Sequence, residues 1–190
     1  GISFDDVPSG TIINDYYNQK GVTFTGFLKS DNKYKSTYVF ALKTDILPEI
    51  ENIITASETI KYLNAYYLIV ANFLSPVRLV SVEAYPKKIY STSWAWMKAF
   101  SFRIDEYSNS LKPLYTVQTT NSTGQNELLE IISNDYNIHS VVFMGKGLRH
   151  VYFDKFSFDI KDISQPVPEP STSALMAGSL FLFYFKRRKK

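Results

Sequence analysis

Residues 151–160 read VYFDKFSFDI. In an extended chain successive side chains point to opposite faces. Alternation therefore puts Tyr152, Asp154, Phe156, Phe158 and Ile160 on one side of a strand. The opening GISFDD, residues 1–6, sorts the same way, with Ile2, Phe4 and Asp6 in line. Both runs place a carboxylate among core-facing residues near one end. A carboxylate on an apolar face is costly unless a cation or several donors meet it.

Comparable runs recur as far as Ile163: GVTFTGF, STYVFALK, YYLIVANF, VRLVSVEAY, MKAFSFRIDEY, LYTVQTT, LLEIIS and HSVVFMG. Each is short and rich in β-branched and aromatic residues with period-2 alternation. Turn chemistry separates several of them, at Pro8-Ser9-Gly10, Ser75-Pro76, Ser108-Asn109-Ser110, Asn121-Ser122-Thr123-Gly124 and Gly145-Lys146-Gly147. The pattern predicts an all-β fold, an antiparallel β-sandwich or barrel, and not alternating βαβ units. One stretch reads two ways. Between Leu47 and Asn64, Pro48 opens a possible helix with Ile50, Ile53 and Ile54 on one face, while NIITAS reads as a strand.

At 190 residues and 45% hydrophobic, the chain can bury one ordinary core and still carry a tail. It has no cysteine, which excludes disulfides and thiolate metal sites. The net charge of +3 is misleading. Residues 167–190 hold Lys186, Arg187, Arg188, Lys189 and Lys190 against Glu169, a net of +4, so residues 1–166 carry −1. The domain is not basic, and a nucleic-acid partner loses its electrostatic argument. The sequence starts at Gly1 without an apolar signal-type segment; either a signal peptide was removed before this numbering or the protein is cytosolic, and the tail favours the first.

The tail reads VPEPSTSALMAGSLFLFYFKRRKK from Val167. It follows a Pro-rich linker, within KDISQPVPEP at 161–170. The apolar run Ala174–Phe185 spans about 18 Å as a helix, short of the ~30 Å hydrocarbon core. Starting at Ser171 and letting the basic side chains snorkel extends its reach. The positive-inside rule would leave residues 1–166 outside. The alternative is a buried C-terminal element of the domain. The expected division is a cargo domain at 1–163, a linker at 164–170, a short transmembrane helix at 171–185 and a basic cytoplasmic end at 186–190.

The order of Pro-Glu-Pro box, short apolar helix and basic terminus resembles the PEP-CTERM sorting signal of bacterial envelope proteins. The resemblance implies a bacterial protein exported through a signal peptide and handled at the membrane by an exosortase. Val167, Pro168, Glu169, Pro170, Ser171 and Thr172 would be recognition residues, read by the processing enzyme. Hosts of such signals typically make extracellular polysaccharide. The domain is also similar to cargo domains of that family. FDDVPSGTIINDYYNQKGVTFTG resembles their opening and VYFDKFSFDI their closing strand, with ANFLSPVRLVSVEAY and FRIDEYSNSLKPL between. Those domains resemble jelly-roll carbohydrate-binding modules. Lys155 departs from the pattern, which has a small polar residue after the aspartate.

Two candidate sites follow. Asp6 and Asp154 would meet if the terminal strands are neighbours, and with Asp5, or Asn14 from the adjacent loop, they would offer oxygens to a structural calcium ion. The alternative is an Asp154–cation pair and a turn capped by Asp6. In YSTSWAWMK, Trp94 and Trp96 share a face as a platform for sugar rings, with Tyr90 extending it and Tyr16-Tyr17 as a rim. The alternative is that these rings are core or dimer contacts. Catalysis has little to stand on. Two histidines, His139 and His150, cannot make a three-histidine zinc site. No nucleophile elbow, phosphate loop or HExxH is present, and carboxylates such as Asp105-Glu106 or Glu127 and Glu130 show no defined pairing. The sequon at Asn121 has little meaning in a bacterium. The sequence thus points to an exported, non-enzymatic envelope or matrix protein, structural or adhesive in association with exopolysaccharide. The alternative is a lectin-like module with a defined glycan, and beyond it a small glycan hydrolase. The protein is expected at the membrane through its helix, or extracellular after processing.

Overall fold

The computed structural model describes residues 1–30, 33–43, 52–56, 67–86, 94–120, 126–146 and 151–160. Its strands are β1 (Thr11–Ile12), β2 (Val22–Ser30), β3 (Lys33–Thr37), β4 (Phe40–Lys43), β5 (Asn52–Thr55) and β6 (Tyr67–Val77). Then come β7 (Leu79–Pro86), β8 (Trp94–Phe100), β9 (Tyr115–Gln118), β10 (Glu127–Ile132), β11 (Ile138–Lys146) and β12 (Val151–Phe158). They form two six-stranded sheets, ordered β1-β4-β5-β12-β7-β10 and β3-β2-β6-β11-β8-β9. The fold is an all-β antiparallel sandwich.

The pairing explains the path. β5 pairs with β12, β6 with β11, β7 with β10 and β8 with β9, as in one long ribbon folded back on itself. Curling the ribbon sets β12 beside β7 and β11 beside β8, which is the course of a jelly roll. β4 and β1 extend the first sheet, and β2 and β3 the second. Within the ambiguous stretch, residues 52–55 are strand; the rest of Leu47–Asn64, apart from Ala56, lies outside the described residues. The linker, the apolar run and the basic end lie outside the described residues. Among the described residues no helix is long and apolar enough to cross a membrane.

Alternation places the core. Phe24, Phe73, Phe143, Phe153 and Phe156 are buried between the sheets with Ile54, Ile69, Val82 and Met97. Their rings meet edge-on or tilted, as Phe143 and Phe153 do at 5.0 Å, the arrangement that aromatic quadrupoles favour. Gly145 lets the layers close, since a Cβ there would lie 2.7 Å from Val151 Cγ2.

Four expectations are corrected. Residues 1–6 are not a strand: only Ile2 bridges, to Phe156. Phe4–Asp6 is a 3-10 turn whose Asp5 amide is capped by Ser3, a local bond that competes with strand pairing. Asp154 does not share a face with Phe156. The β12–β7 register shifts between Asp154 and Ser157, and Lys155 has φ 48°. That extra residue, a β-bulge, keeps Phe153 and Phe156 both inward and turns Asp154 to the outer face. Ser75-Pro76 is not a turn but part of β6, where pairing with β11 is irregular and a proline without an N–H is tolerated.

The fourth correction concerns MKAFSFRIDEY. Its strand stops at Phe100, and residues 101–114 fold back over the outer face of the second sheet. Asn72 holds this cover. Its Oδ1 accepts from the Ile104 amide and its Nδ2 donates to the Ile104 carbonyl, both at 2.9 Å. Ser140 Oγ donates to the Phe102 carbonyl at 2.8 Å. Beneath the cover, Ile104 and Tyr107 pack with Phe27, Leu68, Val70, Phe100 and Val142 in a second apolar cluster.

Candidate functional site

Strand β8 sorts its side chains by parity. Ala95, Met97 and Ala99 enter the core, while Trp94, Trp96 and Lys98 emerge half-buried on the outer face of the second sheet. The shared face expected for the two tryptophans is the one they occupy, and it is not the inter-sheet core. Trp96 packs at the margin of the covered cluster, beside Met144, its directly opposed partner on β11. On its other flank β9 sets Gln118 opposite Trp96 and Thr116 opposite Lys98. Directly opposed residues share a face, so an amide and a hydroxyl, both on exposed residues, border the rings.

Lys98 Nζ lies 4.4 Å from the Trp96 ring centroid, a cation–π contact. The ion pairs among the described residues are Lys20–Asp6, Arg78–Asp159 and Lys155–Glu83; Lys98 is in none of them. Burial alone pushes its pKa down. The face thus combines aromatic surface, neutral hydrogen-bonding groups and a cation that has no counter-ion among the described residues. Tyr90 lies outside the described residues. Tyr17 gives no rim: it is buried in the core, and its hydroxyl donates to Asp6 Oδ1. Tyr16 is exposed.

The second region lies on the outer face of the first sheet. Asp154 is 2% exposed, and its Oδ1 has no hydrogen-bond partner among the described residues. Opposite it stands Glu83 on β7. Against the cost of burial, bonds from the Tyr85 hydroxyl and Lys155 Nζ hold the Glu83 carboxyl below the usual range. Burial raises the Asp154 pKa; the backbone N–H of Lys155 opposes the rise, and the charges of Asp5 and Glu83 add to it.

The set Asp5, Asp6 and Asp154 does not fit calcium, which takes six to eight oxygens. Asp6 is drawn away to Tyr17 and Lys20. Asp5 caps the Asn52 amide at 2.8 Å and accepts from Ser3. Asn14 spends its Oδ1 on the Val39 amide. Among the described residues no group of three or more acidic or histidine side chains could hold a metal ion. The physical reasons are the 3-10 turn and the bulge, which set Asp6 and Asp154 on different paths. No local motif marks Glu83, Tyr85, Lys98, Thr116 or Gln118. The i+2 spacing from Trp96 puts Lys98 on the tryptophan face; the others depend on strand order.

Beyond the sandwich, residues 166–189 match the PEP-CTERM protein-sorting motif. The chain carries a PEP-CTERM signal. This signal implies export, association with the envelope and handling by exosortase-type machinery. No curated protein matches the chain. Among solved structures, the sandwich in front of the PEP-CTERM signal is similar to the K2 cleaved adhesin domain of Lys-gingipain. The TM-score is 0.53 at 10% identity, over 84% of this chain and 98% of that one. At that identity the likeness is one of fold.

Proposed function

We propose that this protein is a non-enzymatic adhesive module of the bacterial envelope or extracellular matrix, working in association with exopolysaccharide. The observation that carries the reading is the junction, in one chain, of a PEP-CTERM motif with a sandwich of the fold seen in an adhesin domain. The sorting box Val167–Thr172 delivers the domain. Residues 171–185 hold it at the membrane with Lys186–Lys190 inside, until exosortase acts. Residues 1–163 are the cargo, joined by the linker at 164–170. The test is to delete residues 167–190 in the native host. Cargo lost from the envelope, with cells that attach less to their own matrix, is the expected result. Unchanged location and attachment would sink the reading.

A second reading is favoured by the outward tryptophans of β8: a lectin-like module with a defined glycan, engaged through Trp94 and Trp96. Retention of the protein on a column of host polysaccharide, lost in Trp94→Ala, supports it. Passage through columns of every host glycan rejects it.

A further inference from the structure

The β8 face carries more chemistry than an aromatic platform needs. Trp94, Trp96 and Lys98 are successive outward positions, about 6.6 Å apart along the strand at ~3.3 Å per residue. Thr116 and Gln118 flank the last two on the same face. A pyranose ring lays its apolar C–H face on an indole and sends its hydroxyls sideways, where an amide and a hydroxyl can bond them. Neutral sugars would need nothing further. Yet the strip ends in an ammonium that is half withdrawn from water, makes no ion pair among the described residues, and rests on the indole. A half-desolvated cation is costly without a counter-charge, and a ring quadrupole is a partial substitute for one.

Building on the lectin-like reading, we propose that the Trp94–Trp96–Lys98 strip, with Thr116 and Gln118, binds an acidic polysaccharide, a chain bearing uronate carboxylates. The uronate ring takes the place of the ammonium over Trp96, and the displaced Lys98 Nζ pairs with the carboxylate of the same sugar or its neighbour. One ligand then supplies both the ring that the indole stacks on and the anion that the lysine lacks among the described residues. The neutral positions of Gln118 and Thr116 suit the hydroxyls, and among the described residues of the strip no acid repels the chain.

The test is affinity electrophoresis of the full-length chain in mild detergent. Gels contain a soluble polyuronate, a neutral β-glucan or dextran sulfate, and the proteins are wild type, Lys98→Gln, Lys98→Arg and Gln118→Ala. Dextran sulfate reports non-specific attraction to the basic end of the chain. The expected result is preferential retardation by polyuronate, weakened at least tenfold in Lys98→Gln, largely kept in Lys98→Arg and weakened severalfold in Gln118→Ala. Retardation by neutral glucan that Lys98→Gln leaves intact, with none by polyuronate, overturns the acidic ligand while keeping the lectin. Equal binding of polyuronate and dextran sulfate, unchanged in Lys98→Gln, assigns it to the tail and overturns the site. No retardation by any glycan removes the lectin reading as well. Both lysine variants are on the surface of a strand and keep the fold, which thermal melting verifies.

Discussion

Asp154 faces the outer side of a sheet with 2% of its surface exposed and two acids, Asp5 and Glu83, acting on it. Its folded pKa is raised above the ordinary aspartate value of about 3.9. Between the unfolded and folded pKa values the native state therefore holds the extra proton, so stability falls as pH rises through that window. Its contribution is full below the unfolded pKa and lost above the folded one. Asp154→Asn removes the titration while keeping the shape. It is expected to raise stability at neutral pH by about 1 kcal/mol, roughly 2–4 °C in melting temperature for a chain of this size. The gain should vanish below about pH 4. Thermal melts at several pH values read this directly, and a loss at neutral pH would mean that the ionised carboxylate has a cation to hold. Gly145 is the opposite kind of residue, one that works by having no side chain. Gly145→Ala puts a methyl 2.7 Å from Val151 Cγ2 and 2.9 Å from its Cβ. Overpacking of this sort costs about 1–3 kcal/mol, measurable as a shift of the urea midpoint without a change of slope.

At the scale of elements, the cover over the second sheet is tied to it by the side chains of Asn72 and Ser140. Asn72 is buried, and it completes both backbone groups of Ile104. Asn72→Ala leaves a buried N–H and a buried C=O unmet, at a cost of about 1–3 kcal/mol. Amide exchange should quicken in residues 101–113 far more than in β11; uniform change across the sheet would mean that the cover is no separate unit. This cover also marks where alternation stops being informative. Phe100, Phe102 and Ile104 keep the period of a strand, yet the chain leaves the sheet, because its backbone is captured by an asparagine more than thirty residues away. GVTFTGF and LLEIIS are legible since their alternation coincides with one buried face, whereas HSVVFMG, buried on both faces, is legible from its unbroken β-branched and aromatic run. The bulge at Lys155 is not, as a single inserted residue reverses parity without altering composition. For the same reason spacing puts Trp94 and Trp96 on the face they occupy, whereas the same alternation puts Asp154 on the wrong one. Thr116 and Gln118 joined the tryptophans only through the β8–β9 register, which no local pattern encodes.

For the whole molecule, the jelly-roll path puts the last strand in the middle. β12 lies between β5 and β7, contributes Val151, Phe153 and Phe156 to the core, and receives the chain's opening at Ile2. The carboxylate that follows it, Asp159, closes the sandwich. It accepts from the amides of Arg78 and Leu79, both at 2.8 Å, and from the Arg78 guanidinium. Ile160 is already exposed. A chain cut after Ile163 therefore keeps every contact described for the sandwich, and is expected to melt within a few degrees of the full-length protein. A chain cut after His150 loses the central strand and the latch together; it is expected to show no cooperative transition. Such a difference is what the proposed C-terminal processing at the sorting motif would require, since an enzyme acting there would have to leave the fold untouched. The corresponding measurement in the native host is the mass of the C-terminal peptide from envelope and medium. Its expected end lies near the Pro-Glu-Pro box, in a protein whose melting curve matches that of the chain cut after Ile163. An intact FKRRKK end on all membrane-bound protein would instead make the tail a permanent anchor, with the sandwich working tethered to the outer face of the membrane.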